Sequence, residues 1–524
     1  DASNAGYIQI GDQSDLTSNG GDITLSGGSA LSTGYANGST NTYGISIGVD
    51  GSNINNINSS GGDILIRGSS LLDNNSATHL YGVNLSTGVN IDSGVGSVSI
   101  YGKSTDSYGI NLSLGTSTGI NIKSAKTTGT AITLDGWSSA SYGLVFNFDV
   151  NKQILATGGG DISLKGEATT ADYGIFIQGI DILASSGKIT LDGGTRGITK
   201  GGSLASNIGS VTGDSNIASS NSNIDIIGDN LNIASSVSIQ TSGELSLLSS
   251  GNSFASSVST SNFDIKNTLT GLTIGKTTNT ADITIGSDTT IAGNISVYGG
   301  DINVNGNLDT SSVSGGDILL KASDDILLAS SKSITTDSGD VILWSNSDGG
   351  TNSDGSIILL KDSSITTNGG NFWMGGGSGT TTWNGLVVGD GYALTSVSLD
   401  PDDRYSGHTL SSFTTAVYFE DTEITTNGGN ISIYAKADSS GSYGLTTFAV
   451  NNIDSGSGKI YVDAIADGGN RAGIFGIHGQ YVPTKTTFSS TNSGIDAISL
   501  NFDATSGTQY GSVIAAGKLN ILSN

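Results

Sequence analysis

One phrase recurs along this chain, Gly-Gly-Asp-Ile-x-Leu, and it limits the fold more than any other feature does. It stands at Gly20 to Leu25, Gly61 to Ile66, Gly159 to Leu164, Gly299 to Val304 and Gly315 to Leu320, with aliphatic exchanges at its last positions. Looser copies keep the turn and the alternating apolar residues, as in Gly187-Lys188-Ile189-Thr190-Leu191, Gly339-Asp340-Val341-Ile342-Leu343 and Gly429-Asn430-Ile431-Ser432-Ile433. Each copy reads as a turn followed by a strand. The glycine pair supplies backbone angles closed to other residues, and the alternating aliphatics point to one face.

A second phrase, Tyr-Gly-aliphatic, interleaves with the first at Tyr43, Tyr81, Tyr108, Tyr142 and Tyr173, with successive spacings of 38, 27, 34 and 31 residues. A third strand follows it, as in Val89-Asn90-Ile91 and Ile120-Asn121-Ile122. Three short strands per unit of roughly 30 residues predict an all-β, right-handed, single-stranded parallel β-helix. In that fold like strands stack about 4.8 Å apart around a dry aliphatic interior. Uneven spacing then marks loop insertions that point outwards.

Composition agrees with this and removes alternatives. Of 524 residues, 80 are Gly and 2 are Pro, which alone would suit a disordered linker. The 35% hydrophobic content sits instead in short alternating runs, so apolar surface is buried in slices. No stretch keeps helical spacing over three turns, and β-branched residues are common. The formal charge of −26 repels phosphate backbones and anionic head groups, which argues against nucleic acid as a partner. The lack of cysteine removes thiol catalysis, thiolate metal sites and disulfides, and suits an exported bacterial protein. No apolar run is long enough to span a bilayer as a helix, so no transmembrane segment is expected.

The phrases divide the chain into four stretches. Residues 1–200 carry the Tyr-Gly coils, and 201–371 carry tighter units such as Asn223-Ile224-Asp225-Ile226-Ile227 and Leu245-Ser246-Leu247. Residues 372–423 break the rhythm with aromatics and the run Asp400-Pro401-Asp402-Asp403-Arg404, and 424–524 return to the first pattern with Tyr443-Gly444-Leu445. The Gly-Gly-Asp-Ile units resemble the repeats of filamentous-haemagglutinin-type bacterial surface proteins. So do segments such as Ser364-Ile365-Thr366-Thr367-Asn368-Gly369-Gly370-Asn371 and Glu423-Ile424-Thr425-Thr426-Asn427-Gly428-Gly429-Asn430. That resemblance implies a parallel β-helix exported to the cell surface, acting as an adhesin, fibre or coat. No copy of the family's amino-terminal secretion domain stands out in these residues.

Candidate sites follow from residue type. The aspartates Asp22, Asp63, Asp161, Asp301 and Asp317 are expected to bond turn amides, with calcium at some turns as the alternative. The repeated tyrosines Tyr43, Tyr81, Tyr108, Tyr142, Tyr173 and Tyr443 are expected to form a structural ladder, with a sugar platform as the alternative. Phe372, Trp373, Trp383 and Tyr392 are the candidate ligand-binding residues, because exposed aromatics stack on sugar rings; the other reading is a loop packing a small core of its own. Asp400, Asp402, Asp403 and Arg404 form the one dense carboxylate-plus-arginine cluster, and His79, His408 and His478 lack metal-ligand spacing. Neither set makes catalysis the expected activity. Strand-like residues continue to both ends, at Tyr7 to Ile10 and Leu519 to Leu522. They lead us to expect head-to-tail self-association or continuation into a longer chain. The function expected is that of an extracellular structural or adhesive element that touches surface glycans. A polysaccharide-binding module or carbohydrate-active enzyme on the same scaffold is the alternative.

Overall fold

The computed structural model describes residues 6–11, 13–38, 43–48, 53–70, 80–86, 88–113, 119–147, 152–170, 172–212, 217–349, 355–395, 398–399, 413–437, 442–466, 472–477, 485–492, 497–504, 513–515 and 518–523. These form short strands joined by turns, two single-turn 3-10 segments and no α-helix. Among the described residues no helix is long and apolar enough to cross a membrane. The all-β arrangement with long parallel sheets fits a β-helix, or solenoid.

The chain forms two compact units, one of residues 1–256 with 261–270 and the other of residues 257–260 with 271–524. In the first unit the described strands lie in three parallel sheets, and most consecutive strands pass from one sheet to another, although Ile23–Leu25 and Ala36–Gly38 share one. The Tyr-Gly phrases feed one sheet through Ile45–Ile47, Val83–Leu85, Ile110–Ser113, Leu144–Asn147 and Ile175–Ile177. The Gly-Gly-Asp phrases feed another through Ile23–Leu25, Ile64–Ser70 and Asp161–Ala168. There the register sets Ile23, Ile64, Val98, Ile132, Ile162, Ile189, Ile224 and Leu245 in one column. Most of them are fully buried. Each such side chain contributes roughly 1.5–3 kcal/mol by leaving water, and the column repeats that gain once per layer.

The second unit also holds parallel strands in register. Ile318, Val341, Phe372, Ile431, Ile460 and Ile498 form one column. The offset between paired residues of successive layers here is 19 to 39 at the other described steps, but at the step from Asn371 to Asn430 it is 59. The extra chain is an outward excursion, and it begins with the strand Phe372–Trp383.

The turns explain the two glycines of the repeated phrase. The first has positive φ in four of the five copies, at +105° in Gly20, +128° in Gly61, +100° in Gly159 and +83° in Gly315, but not in Gly299. The second does not, and where an earlier layer lies against it, as it does not at Gly21, it is glycine for want of space. A Cβ on Gly62 would lie 2.3 Å from the Gly21 carbonyl oxygen, one on Gly96 2.1 Å from that of Gly62, and one on Gly339 2.1 Å from that of Gly316. Hydroxyls close these turns: Ser93 Oγ donates to the Gly96 carbonyl at 2.6 Å, Thr336 Oγ1 to that of Gly339 at 2.6 Å and Ser455 Oγ to that of Gly458 at 2.7 Å.

The aspartates do bond amides, but those of the next layer and not of their own turn. Asp22 Oδ1 accepts from the Asp63 amide at 2.8 Å, Asp63 Oδ1 from the Ser97 amide at 2.7 Å, and Asp161 Oδ1 from the Lys188 amide at 2.8 Å. In the second unit Asp317 Oδ1 takes the Asp340 amide at 2.8 Å, Asp340 Oδ1 the Asn371 amide at 2.6 Å, Asn371 Oδ1 the Asn430 amide at 3.0 Å and Asn430 Oδ1 the Lys459 amide at 2.8 Å. Asp301 does the same for Asp325 at 3.2 Å. Asp and Asn serve alike, because the bond needs only a side-chain carbonyl-type oxygen.

Candidate functional site

The excursion after Phe372 is built by a turn signal. Trp383 and Leu386 pair across Asn384-Gly385, whose φ values of +48° and +84° are those of a tight two-residue hairpin. Strand Phe372–Trp383 thus folds back antiparallel on Leu386–Gly391. The chain then rejoins the parallel sheet, with Ala393 beside Ala435.

A small core holds the hairpin down. Trp344, Trp373 and Val388 are buried together, with Ile342, Trp383, Leu386 and Tyr434 packed around them. Trp344 Nε1 donates to the Gly377 carbonyl at 2.8 Å, and Lys321 Nζ lies 3.6 Å from the centre of the Trp344 ring. Burial there lowers the Lys321 pKa from its ordinary value. At the return, Tyr392 donates its hydroxyl to Asp463 Oδ2 at 2.7 Å, while Asn501 Nδ2 donates to Asp463 Oδ1 at 2.8 Å. Burial first, and the Asp463 carboxylate next, push the Tyr392 phenol far above its usual range.

Of the four candidate ligand-binding residues, Phe372 is fully buried in the core column between Val341 and Ile431. Trp373 is 1% exposed, under the hairpin. Tyr392 stands on edge against Tyr434, with ring centres 5.8 Å apart. Trp383 alone reaches an open groove, of about 310 Å³, whose other walls are Asn384, Asn430, Ile431, Ser432, Tyr434, Lys459 and Tyr461. Tyr434 and Tyr461 are tilted neighbours at 5.5 Å. The sequence reading missed both, since they belong to later layers. Alternation points to them: Ile431 and Ile433 face the core while Tyr434 faces out, and Ile460 and Val462 do so around Tyr461.

The repeated tyrosines lie in the first unit, apart from Tyr443. Tyr43 and Tyr81 stack at 5.5 Å, Tyr81 and Tyr108 at 5.1 Å, and Tyr108 and Tyr142 meet tilted at 5.7 Å. The next ring against Tyr142 is Phe176, at 5.3 Å and on edge. Tyr173 has no ring contact of this kind among the described residues, although its charge acts on Tyr142. Burial raises the Tyr81 pKa to about 12, helped by Tyr108 and Tyr43. Tyr443 is 5% exposed within the strand Tyr443–Phe448.

Asp400, Asp402, Asp403, Arg404, His79, His408 and His478 lie outside the described residues. Among the described residues no three His, Cys, Asp or Glu side chains come close enough to hold a metal ion. Comparison with protein-family models, curated proteins and solved structures returns no match.

Proposed function

We propose that this chain is a right-handed, three-sided parallel β-helix of the filamentous-haemagglutinin type, exported to a bacterial surface, where it acts as a structural and adhesive element. The observation that supports this best is the use of the turn side chains. From Asp22 to Asp63 to Ser97, and from Asp317 through Asp340, Asn371 and Asn430 to Lys459, each bond ties one layer to the next. That chemistry serves stiffness along the stacking direction and not turnover. A high negative charge and freedom from cysteine suit an exported coat.

The adhesive part of the proposal rests on the groove at the hairpin, where aromatic walls and amide groups suit a sugar ring. Antibody raised against the folded protein should label the outside of intact source cells or their matrix, and negatively stained native material should show rods or filaments. Label confined to permeabilised cells, or round particles alone, would overturn the proposal.

A further inference from the structure

We infer that the groove between Trp383, Tyr434 and Tyr461 is a binding site for an acidic sugar unit, a pyranose ring carrying a carboxylate. The inference rests on the adhesive reading above and adds to it the ligand's charge class and the residues that select it.

The groove combines three features of a built site. Its size, about 310 Å³, suits one or two sugar rings. Its walls are three aromatic rings from different layers: Trp383 at the hairpin turn, Tyr434 and Tyr461. Its polar groups include one cation, the Lys459 ammonium, beside two side-chain amides and three hydroxyls. Asn430 already uses Oδ1 to accept the Lys459 amide, which leaves Nδ2 to donate outwards. Lys459 is exposed, and no carboxylate lies within ion-pair distance of it among the described residues.

The charge of the lining is the discriminating observation. In a chain with 46 acidic and 20 basic residues, no Asp or Glu lines this groove, and its one formal charge is the Lys459 ammonium. A neutral sugar is served by the hydroxyls and amides alone, whereas a carboxylated sugar adds an anion that needs a cation or a further donor. Lys459 supplies that cation.

A further polar group waits at the floor. Ser432 Oγ is fully buried and has no hydrogen-bond partner. Leaving a hydroxyl in that state costs free energy, so a group that pairs with it binds more tightly. In the register of the sheet Ser432 lies between Trp373 and Tyr461.

The test uses matched ligand pairs on the intact chain: oligogalacturonate against the same oligomer with its carboxyls reduced, and sialyllactose against lactose. Calorimetric titration should show the wild type binding at least one acidic member about tenfold more tightly than its neutral partner, the ratio expected for one charge-assisted bond. Lys459→Gln should abolish that ratio while leaving any affinity for the neutral sugar unchanged. Ser432→Ala should weaken binding several-fold without lowering the melting temperature, a combination a purely structural serine would not give. Trp383→Ala should weaken both members of a pair. Equal affinity within each pair, an undiminished Lys459→Gln variant, or no binding to any acidic member would each overturn the inference. Rods on the cell surface combined with no sugar binding would sink this inference alone, whereas acidic-sugar binding by a protein never found outside the cell would sink the surface reading alone.

Discussion

Gly61 and Gly62 are neighbours with different constraints. Gly61 has φ of +128° and open space around it: a methyl group there would have Val95 Cγ2 as its nearest neighbour, at 3.6 Å, so alanine meets only backbone strain. We expect Gly61→Ala to cost about 1–2 kcal/mol. A Cβ on Gly62 would lie 2.3 Å from the Gly21 carbonyl oxygen, so Gly62→Ala must push two layers apart. A cost of roughly 3 kcal/mol is expected. Urea denaturation of the two variants checks the order; equal costs would contradict it. The aspartate ladder gives a second test at this scale. The Ser97 amide holds the Asp63 carboxyl below its ordinary pKa, so Asp63 adds stability above about pH 4 that is lost as pH falls through its folded value. Burial instead holds Asp317 above its ordinary pKa, so it costs stability once pH rises through its folded value. Asparagine keeps the acceptor oxygen in both places. At pH 7 Asp63→Asn should therefore lower the thermal midpoint and Asp317→Asn should leave it equal or higher, and shifts in the same downward direction would refute the assignment.

At the scale of the element, the hairpin from Phe372 to Gly391 depends on Asn384-Gly385 and on the cluster beneath it. Gly385→Val forces a β-branched residue to φ of +84° and should loosen the hairpin by about 1–2 kcal/mol. Val388→Asp places an unpaired charge in the cluster and should undock the hairpin. Trp344, Trp373 and Trp383 all report on it, so both variants should shift tryptophan emission to the red while far-ultraviolet dichroism stays unchanged; unshifted emission would refute the packing. The strands around this element were readable from the sequence, since Gly-Gly-Asp marks the starts at Ile64 and Ile318. The phrase does not say which sheet follows. Gly299-Gly300-Asp301 leads into Ile302–Val304, which lies in a different sheet from Ile318–Ala322, because the residues record a turn and not its corner. The break at 372 was readable too, but its candidate residues were only partly those of the groove. Phe372 follows the core alternation and is inside, while Tyr434 and Tyr461 reach Trp383 through a layer offset of 59 residues that no local pattern displays.

At the scale of the molecule, the two compact units need not unfold together, since each layer packs chiefly on its neighbours. Trp137 lies in the first unit, and the other three tryptophans lie in the second. In a Trp137→Phe variant the emission then follows the second unit alone, and its thermal curve should separate from the dichroism curve, which follows both. Coincident curves, with calorimetric and van't Hoff enthalpies equal, would show a single cooperative unit instead.

The side-chain ladder from Asp22 to Asp63 to Ser97 also has a consequence for how such a chain changes length. Every acceptor addresses only the layer after it, and the address is generic, since an amide hydrogen is present at that position whatever residue occupies it. Nothing in this chemistry counts. If the 34 residues separating Asp63 from Ser97 were excised in frame, Ile23 would meet Val98 where it now meets Ile64, one aliphatic opposite another. Copy number is thereby free to drift by whole layers while every remaining junction keeps its partner.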